Sequence, residues 1–388
     1  MKKIAFVSTT RADFDLLAPV IKLCHEDPEI EASLYISGTH LDPEHGYTSK
    51  YVEDCGFAIK AKINILTPGT TPKDLAQIMA NALTGFAKEL EQNKPDLLVV
   101  LGDRYEMLSI VAAAALLNIP IAHLYGGEKT LGAIDESVRH SITKFSHLHF
   151  TSCEEYRKRA IQLGEDPEIV FNVGSIGVEN IKKAHRLEKS QIETELGMSL
   201  PPQFVIGTLH PESLRDAAYQ VQMVENFLGA LSRKPDLYVI FTHNNADTYA
   251  DLIQNQINEF VNKNPNRSCL FKSLGQQKYY SLLKFSLGVI GNSSSGIIEV
   301  PSFKLGTLNI GDRQKGRISA KTVIHSGIDA DEIHSGLIHL MSPEFRQECL
   351  YYSNPYEKLH TAQCIFLELK KADLSRIKHK VFYDLQFQ

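Results

Sequence analysis

The chain has 388 residues, 43% apolar and 22% charged, with a formal net charge of −5. That length exceeds what one hydrophobic core usually supports and predicts two domains, while the acidic balance argues against nucleic acid or a membrane surface as a partner. No stretch approaches the roughly 20 apolar residues that cross a bilayer, the short apolar run after Met1 lacks a cleavage-site pattern, and six scattered cysteines without a C-x-x-C pair read as reduced thiols in a cytoplasmic protein.

Short apolar runs alternate with longer amphipathic stretches. KIAFVST reads as a strand, and FDLLAPVIKLCHED follows with apolar residues at 16, 17, 20, 21 and 23, one helical face. EASLYISG is the second strand, DLAQIMANALTGFAKELEQ a long helix and DLLVVLGD a buried strand. EMLSIVAAAALLN is a helix stopped at Ile119-Pro120, and PIAHLYGG, SHLHFTS and EIVFNVGS are later strands. After Gly174 the charged helical stretch VENIKKAHRLEKSQIETELG carries the chain into a second unit. There the pattern restarts, with strands in FVIGTLHPES, LYVIFTHNNAD, SCLFKSL, LGVIGNSSSG and KLGTLNIGD. The expected class is α/β, with two doubly wound parallel sheets, residues 1–175 and 176–365. The last helical stretch is open to packing on either domain, and the tail 366–388 is expected to return to the first. Two such sheets facing across a cleft put their functional loops at the carboxyl ends of the strands.

The polar turns at those ends carry the candidate chemistry. GNSSSG, 291 to 296, follows a strand and opens a helix, where unpaired peptide N–H groups and the helix dipole favour an anion. Ser293 and Ser294 add hydroxyl donors, and Glu299 one turn later suits paired sugar hydroxyls. The turn fits neither G-x-x-x-x-G-K-[ST] nor a dinucleotide fingerprint, which disfavours ATP and NAD. NIGDRQKGR offers Arg313, Lys315 and Arg317 as a flexible basic lid over a diphosphate, and Arg11 is the matching cation of the first domain. LGDRYE places Asp103 and Arg104 at a strand end. HLYGGEKTLGAIDESVRHSITK holds His123, then Glu128 beyond two glycines, then Asp135 opening a helix in which Asp135–Arg139 and Glu136–His140 are spaced as ion pairs. Arginines would fix a leaving diphosphate while the carboxylates Asp103, Glu128 and Asp135 move protons on the attached sugar. His210 in TLHPES is a further ligand candidate. No histidine spacing suggests a metal site.

In order and context, STTRADFDLLAPVI, LGDRYE, HLYGGEKTLGAIDESVRHSITK, THNNAD and IGNSSSGIIEVPSFKLGTLNIGDRQKGR resemble the UDP-N-acetylglucosamine 2-epimerase superfamily, in particular its hydrolysing branch, which begins sialic acid synthesis. The resemblance spans nearly the whole chain. It implies two Rossmann-like domains in the glycosyltransferase-B arrangement, no cofactor, no metal, and a homo-oligomer, dimer or tetramer. It also implies a reaction. UDP leaves C1 of UDP-N-acetylglucosamine as the C2 proton is removed, the resulting 2-acetamidoglucal is hydrated, and N-acetylmannosamine and UDP are released. By position, Asp103, Glu128 and Asp135 become the acids and bases. Arg11, Arg104, His210, Arg313, Ser293 and Ser294 hold the diphosphate, Glu299 the ribose, Asn245 the nucleotide, and the main chain near Leu274 the uracil. Two residues depart from the pattern: Tyr125 stands where relatives often carry Glu or His, and Asp15 where some have a small hydroxyl residue. UDP-N,N′-diacetylbacillosamine as substrate, a glycosyltransferase and a nucleotide-sugar sensor remain as alternatives. The carboxylate cluster argues against the sensor.

Overall fold

In the computed structural model, which describes residues 1–43, 46–69, 71–131, 135–212, 214–244, 249–272 and 274–386, the chain divides into two units. Unit 1 comprises Met1–Glu128, Ile134–Ile176 and Lys358–Gln388, and unit 2 comprises Lys129–Ala133 and Gly177–Glu357. The return to unit 1 therefore falls at Lys358 rather than 366, and the residues just after Glu128 group with unit 2.

Unit 1 holds seven strands: β1 (Lys2–Ser8), β2 (Ile30–Ser37), β3 (Ile59–Ile63), β4 (Leu97–Leu101), β5 (Ile121–Leu124), β6 (Leu148–Thr151) and β7 (Val170–Asn172). They pair in parallel in the order β3-β2-β1-β4-β5-β6-β7. Unit 2 holds β8 (Phe204–Thr208), β9 (Tyr238–Thr242), β10 (Ser268–Phe271), β11 (Val289–Gly291), β12 (Thr307–Ile310) and β13 (Val323–Ser326). Their order, β10-β9-β8-β11-β12-β13, is again parallel throughout. Each sheet thus reverses direction between its first and fourth strands. Helices diverge to opposite faces there, and a crevice opens beyond the strand ends. The sequence pattern passes over β3 and β13, and both are edge strands. IKAKI alternates half-buried and exposed residues before the buried Ile63, so it lacks the continuous apolar run of a strand buried on both faces.

Successive residues of each central strand feed two separate cores, as the period of two demands. Ile4 and Phe6 of β1 pack with Leu97 and Val99 under Phe14, Leu17 and Val20 of the helix Arg11–Glu26. Ile365 and Leu369 of the helix Thr361–Lys371 join that core, which fixes the C-terminal region on unit 1. Ala5, Val7, Leu98 and Val100 face the other side, under Ile78, Ala82, Phe86 and Leu90 of the helix Pro72–Gln92. In unit 2, Val205, Val239 and Phe241 pack under the helix Ala217–Ser232, and Phe204, Ile206 and Ile240 pack with Tyr280 and Leu283.

Local chemistry explains where helices differ from expectation. The charged stretch after Gly174 is two helices, Ile176–Lys183 and Lys189–Leu196. Glu188 and Gln191 form a capping box that starts the second, and Gly197 ends it at φ 67°. The helix after GNSSSG runs only from Ser294 to Ile298, followed by a 3-10 turn, Val300–Phe303, that contains Pro301. A helix of five residues has a weak dipole, so anion binding there falls to individual donors in the turn.

Candidate active site

In unit 1 the ends of β4 and β5 converge on Arg139, whose side chain is 1% exposed. Its guanidinium donates to the Asp103 carboxylate through Nε at 2.9 Å and through Nη2, and to Glu136 Oε2 and the Glu128 carbonyl at 2.9 Å each through Nη1. Among the described residues Arg139 forms ion pairs with Asp103 and Glu136, whereas helical spacing suggests Asp135. The Glu136–His140 pair forms at 3.2 Å. Glu128 is buried, and its Oε1 accepts the Ser152 hydroxyl at 3.0 Å. Gly127 brings the main chain there at φ 76°, where a Cβ would stand 2.3 Å from the Tyr156 carbonyl oxygen, so only glycine fits. Asp135 opens the helix Asp135–Phe145. Burial raises its pKa, the Asp103 charge adds to that, and Arg139 and Arg104 oppose it. Arg139 thus holds the Asp103 carboxylate and the main chain at Glu128, and Asp135, one turn earlier on the same helix, is a carboxyl disposed to keep a proton.

His123 serves this frame rather than the chemistry. Its Nε2 donates to the Gly102 carbonyl at 2.8 Å and its Nδ1 lies 3.2 Å from Thr143 Oγ1. Burial pushes its pKa down to about 3, leaving a neutral ring. Tyr125 sits at φ 67°, and its hydroxyl accepts the Ile176 N–H at 2.9 Å, so it turns toward the exit from unit 1. Arg104 is ion-paired with the buried Glu106 and lies near Asp13. The ion pair uses only Nε, so the two Nη groups of its 40% exposed side chain remain as donors for a diphosphate. Arg11 stacks over Tyr51, 4.3 Å from the ring centroid, and approaches Asp15 at 3.9 Å. Asp15 accepts the Tyr51 hydroxyl at 2.9 Å, so this carboxylate is engaged locally.

Unit 2 has a different chemistry at the same topological position. A cavity of about 390 Å³ opens beyond β8, β9 and β11, with His210, Leu274, Ser293 and Glu299 among its lining residues. Ser295, whose hydroxyl lies 2.6 Å from that of Tyr279, lines it where Ser294 does not. Asn244 and His243 also line it, and Asn245 lies outside the described residues. Gly291 ends β11 at φ 124°, where a Cβ would come within 1.9 Å of the Thr208 carbonyl oxygen. Asn292 holds the turn against β8: its Oδ1 accepts the His210 N–H at 2.7 Å, and its Nδ2 donates to the His210 carbonyl at 2.8 Å. The Asn292 carbonyl in turn accepts Arg313 Nη1 at 3.1 Å and Gln314 Nε2 at 3.0 Å. Asp312 N–H donates to the buried Glu212 at 2.7 Å. In this structure the basic loop is hydrogen-bonded to the Ser-rich turn through Arg313 and Gln314. Burial, with the Arg313 charge adding, pushes His210 down to about 3, so this imidazole is neutral and offers hydrogen bonds without charge. Burial pushes Glu299 up to about 7, against a lowering hydrogen bond from Tyr280.

The family model for UDP-N-acetylglucosamine 2-epimerase matches residues 22–370. The chain belongs to that family. It is 42% identical, over 99% of both chains, to the GDP/UDP-N,N′-diacetylbacillosamine 2-epimerase (hydrolyzing) of Campylobacter jejuni. It is also 38% identical, over 99% of this chain and 98% of the relative, to polysialic acid biosynthesis protein P7 of Escherichia coli. Among solved structures, the UDP-GlcNAc 2-epimerase of Neisseria meningitidis bound to UDP-GlcNAc superposes with a TM-score of 0.81 at 18% identity, over 95% of this chain and all of that one. The likeness establishes the glycosyltransferase-B-like fold for this member of the family.

Within the family fold, several residues that shape the site escape a reading of motifs. Asn292 and Gln314 lie inside quoted motifs, yet their work is to hold main chain, which side-chain type does not advertise. Asp13, whose pKa burial raises, and Glu106 flank Arg104 in unit 1. Both sit at helical positions where acidic residues are ordinary. Among the described residues, no group of three or more His, Cys, Asp or Glu side chains is placed to hold a metal ion.

Proposed function

We propose that the protein is a hydrolysing 2-epimerase of UDP-sugars in which unit 2 holds the uridine diphosphate and unit 1 carries the acids and bases. The observation that supports this reading is that Arg139 binds the Asp103 carboxylate and the Glu128 main-chain carbonyl from the helix that Asp135 opens, where burial raises the Asp135 pKa. An anion-binding protein gains nothing from three carboxylates, whereas breaking a C2–H bond and returning a proton to the other face needs both an acceptor and a donor. Asp135, its pKa raised, supplies a proton, and Asp103 and Glu128 accept one. The C2 proton goes to a carboxylate as the C1–O bond electrons leave with UDP. Water then adds at C1 of the 2-acetamidoglucal, and a proton is delivered to C2 from the opposite side. The neutral His210, Ser293, Ser295 and Arg313 bind the departing diphosphate, and Glu299 binds the ribose hydroxyls.

Two relatives named for N,N′-diacetylbacillosamine, at 42% and 33% identity, support UDP-N,N′-diacetylbacillosamine as substrate. The P7 relative, named for polysialic acid biosynthesis, supports a place in a sialic acid pathway, and a UDP-N-acetylglucosamine 2-epimerase of Neisseria meningitidis, at 26% identity, supports UDP-N-acetylglucosamine as substrate and N-acetylmannosamine as product. The chemistry at C1 and C2 is the same for both. A cytoplasmic location agrees with six cysteines that are all thiols, and no helix among the described residues is long and apolar enough to cross a membrane. A homo-oligomer, dimer or tetramer, completes the proposal and is tested by sedimentation. The reaction is tested by NMR with each UDP-sugar in D2O. The reading predicts the C2 epimer of the free sugar, deuterated at C2, with UDP. Protium at C2 removes the elimination mechanism.

A further inference from the structure

The tail after the helix Leu374–Ile377 mixes polar and apolar residues and is mostly exposed, yet the charged side chain of Lys380 is sunk into unit 1. Lys380 is 18% exposed, and its ammonium lies 2.7 Å from Glu165 Oε2. It donates to the carbonyls of Lys144 and Ser146 at 2.7 Å each, with that of Thr143 at 3.4 Å. Those carbonyls belong to the last turn of the helix Asp135–Phe145 and the residues that follow. The last four carbonyls of a helix have no partner within it, and the dipole is negative there. A cation from a segment more than 230 residues away therefore acts as the helix's C-terminal cap. Glu165 is fully buried and also binds Lys144 at 2.6 Å, with His149 Nε2 2.8 Å away. Two contacts beside Lys380 hold the tail down: Tyr383 N–H donates to the Gly164 carbonyl at 2.9 Å, and the Phe382 ring covers Gly164 so closely that a Cβ there would stand 2.3 Å from it.

This turn leads to the carboxylates by two routes. Along the helix, the other end carries Asp135 and Arg139, the latter bonded to Asp103 and the Glu128 carbonyl. Eleven residues at about 1.5 Å each make the helix only about 16 Å long. Across the sheet, Thr143 meets His123, and His123 donates to Gly102, the residue before Asp103.

We propose that Lys380 is a positioning residue for the reaction: by capping the helix Asp135–Phe145 and neutralising Glu165, it keeps Asp135, Arg139 and Asp103 in register for proton transfer. The inference rests on the assignment of those carboxylates to the chemistry, which Asp135→Asn tests separately. The groups facing the ammonium are Glu165, Lys144, His149 and His147. Burial pulls Glu165 upward, but His149, Lys144 and Lys380 together hold it at about 2, so it stays charged. Burial pushes Lys380 down to about 8, with Glu165 opposing. Above that pH the neutral amine has two N–H groups for the acceptors that an ammonium serves with three.

The sign separates this from unfolding. A lysine whose folded value lies below its unfolded value of about 10.4 makes stability rise with pH between the two, because the unfolded chain then binds more protons. Deprotonation of Lys380 by itself therefore does not destabilise the fold above pH 8. Steady-state kinetics on the full chain provide the test. Lys380→Met is expected to lower kcat at least tenfold with KM and UDP affinity within twofold of the parent. Lys380→Arg, charged at every pH used, is expected to restore kcat and move the alkaline limb of the parent, with its midpoint near 8, upward by at least one pH unit. A parental kcat in Lys380→Met, or an unmoved limb in Lys380→Arg, overturns the proposal. Should either variant fail to fold, the parent still decides: kcat that stays flat between pH 7.5 and 9.5 contradicts it.

Discussion

The two units share a strand order but not an electrostatic design. At the switch point of unit 1, main-chain and side-chain carboxylate oxygens converge on a buried guanidinium. At the switch point of unit 2, a carboxamide ties two strand ends together, the histidine beside it is neutral, and Arg313 donates to the main chain of the turn. Topology fixes where a site lies; side-chain charge fixes what it can do. A proton-transfer site needs carboxylates whose environments differ, which a buried arginine provides by pairing with Asp103 while Asp135 is left to burial. A diphosphate site needs hydrogen-bond donors, and the Ser-rich turn and a neutral imidazole offer them.

Breaking the first half is expected to be the costlier change. Glu128→Gln keeps the shape and removes the base, so turnover is expected to fall by about 10²–10⁴-fold while UDP still binds with parental affinity; turnover within threefold of the parent moves the role to another residue. Arg139→Ala strips the charge that organises Asp103 and leaves carboxylates without their cation. Breaking a buried pair in this way costs about 3–5 kcal/mol, read as a lowered denaturant midpoint; an unchanged midpoint means that the cluster does not hold the strand ends.

The second half is expected to respond in affinity. Asn292→Ala leaves the His210 N–H and carbonyl without their partner, at about 1–3 kcal/mol. UDP affinity is expected to fall roughly tenfold at little cost to the first unit, and calorimetry showing parental affinity would place the phosphates elsewhere. The smallest effect is a pH dependence. Burial pushes the Glu299 pKa up to about 7, and ribose hydroxyls favour its ionised form. UDP affinity should therefore rise as pH increases from 6 to 8, and Glu299→Gln should flatten the curve. A slope that persists in Glu299→Gln assigns the proton to another group.

What the sequence disclosed follows the same division. Buried strands and amphipathic helices are legible because burial on both faces demands continuous apolar runs, as in LLVVL of β4. The edge strand IKAKI is not, since half of it faces water. Among site residues, Asp103, Glu128, His210, Ser293 and Glu299 stand out because charged or hydroxylic groups at strand ends have few structural uses. Asn292, Gln314 and Lys380 stay hidden because they act on main-chain carbonyls and amides, and such partners appear only once the chain has folded. Pairing is hidden for the same reason: spacing alone joins Arg139 to Asp135, whereas the fold brings it Asp103 from 36 residues away.

A crystal structure of the protein with UDP tests the division of labour most directly. The account predicts the pyrophosphate within hydrogen-bonding distance of Ser293 and Ser295, with the ribose against Glu299. Density for the nucleotide beside Asp103 and Asp135, away from the 291–299 turn, would contradict it.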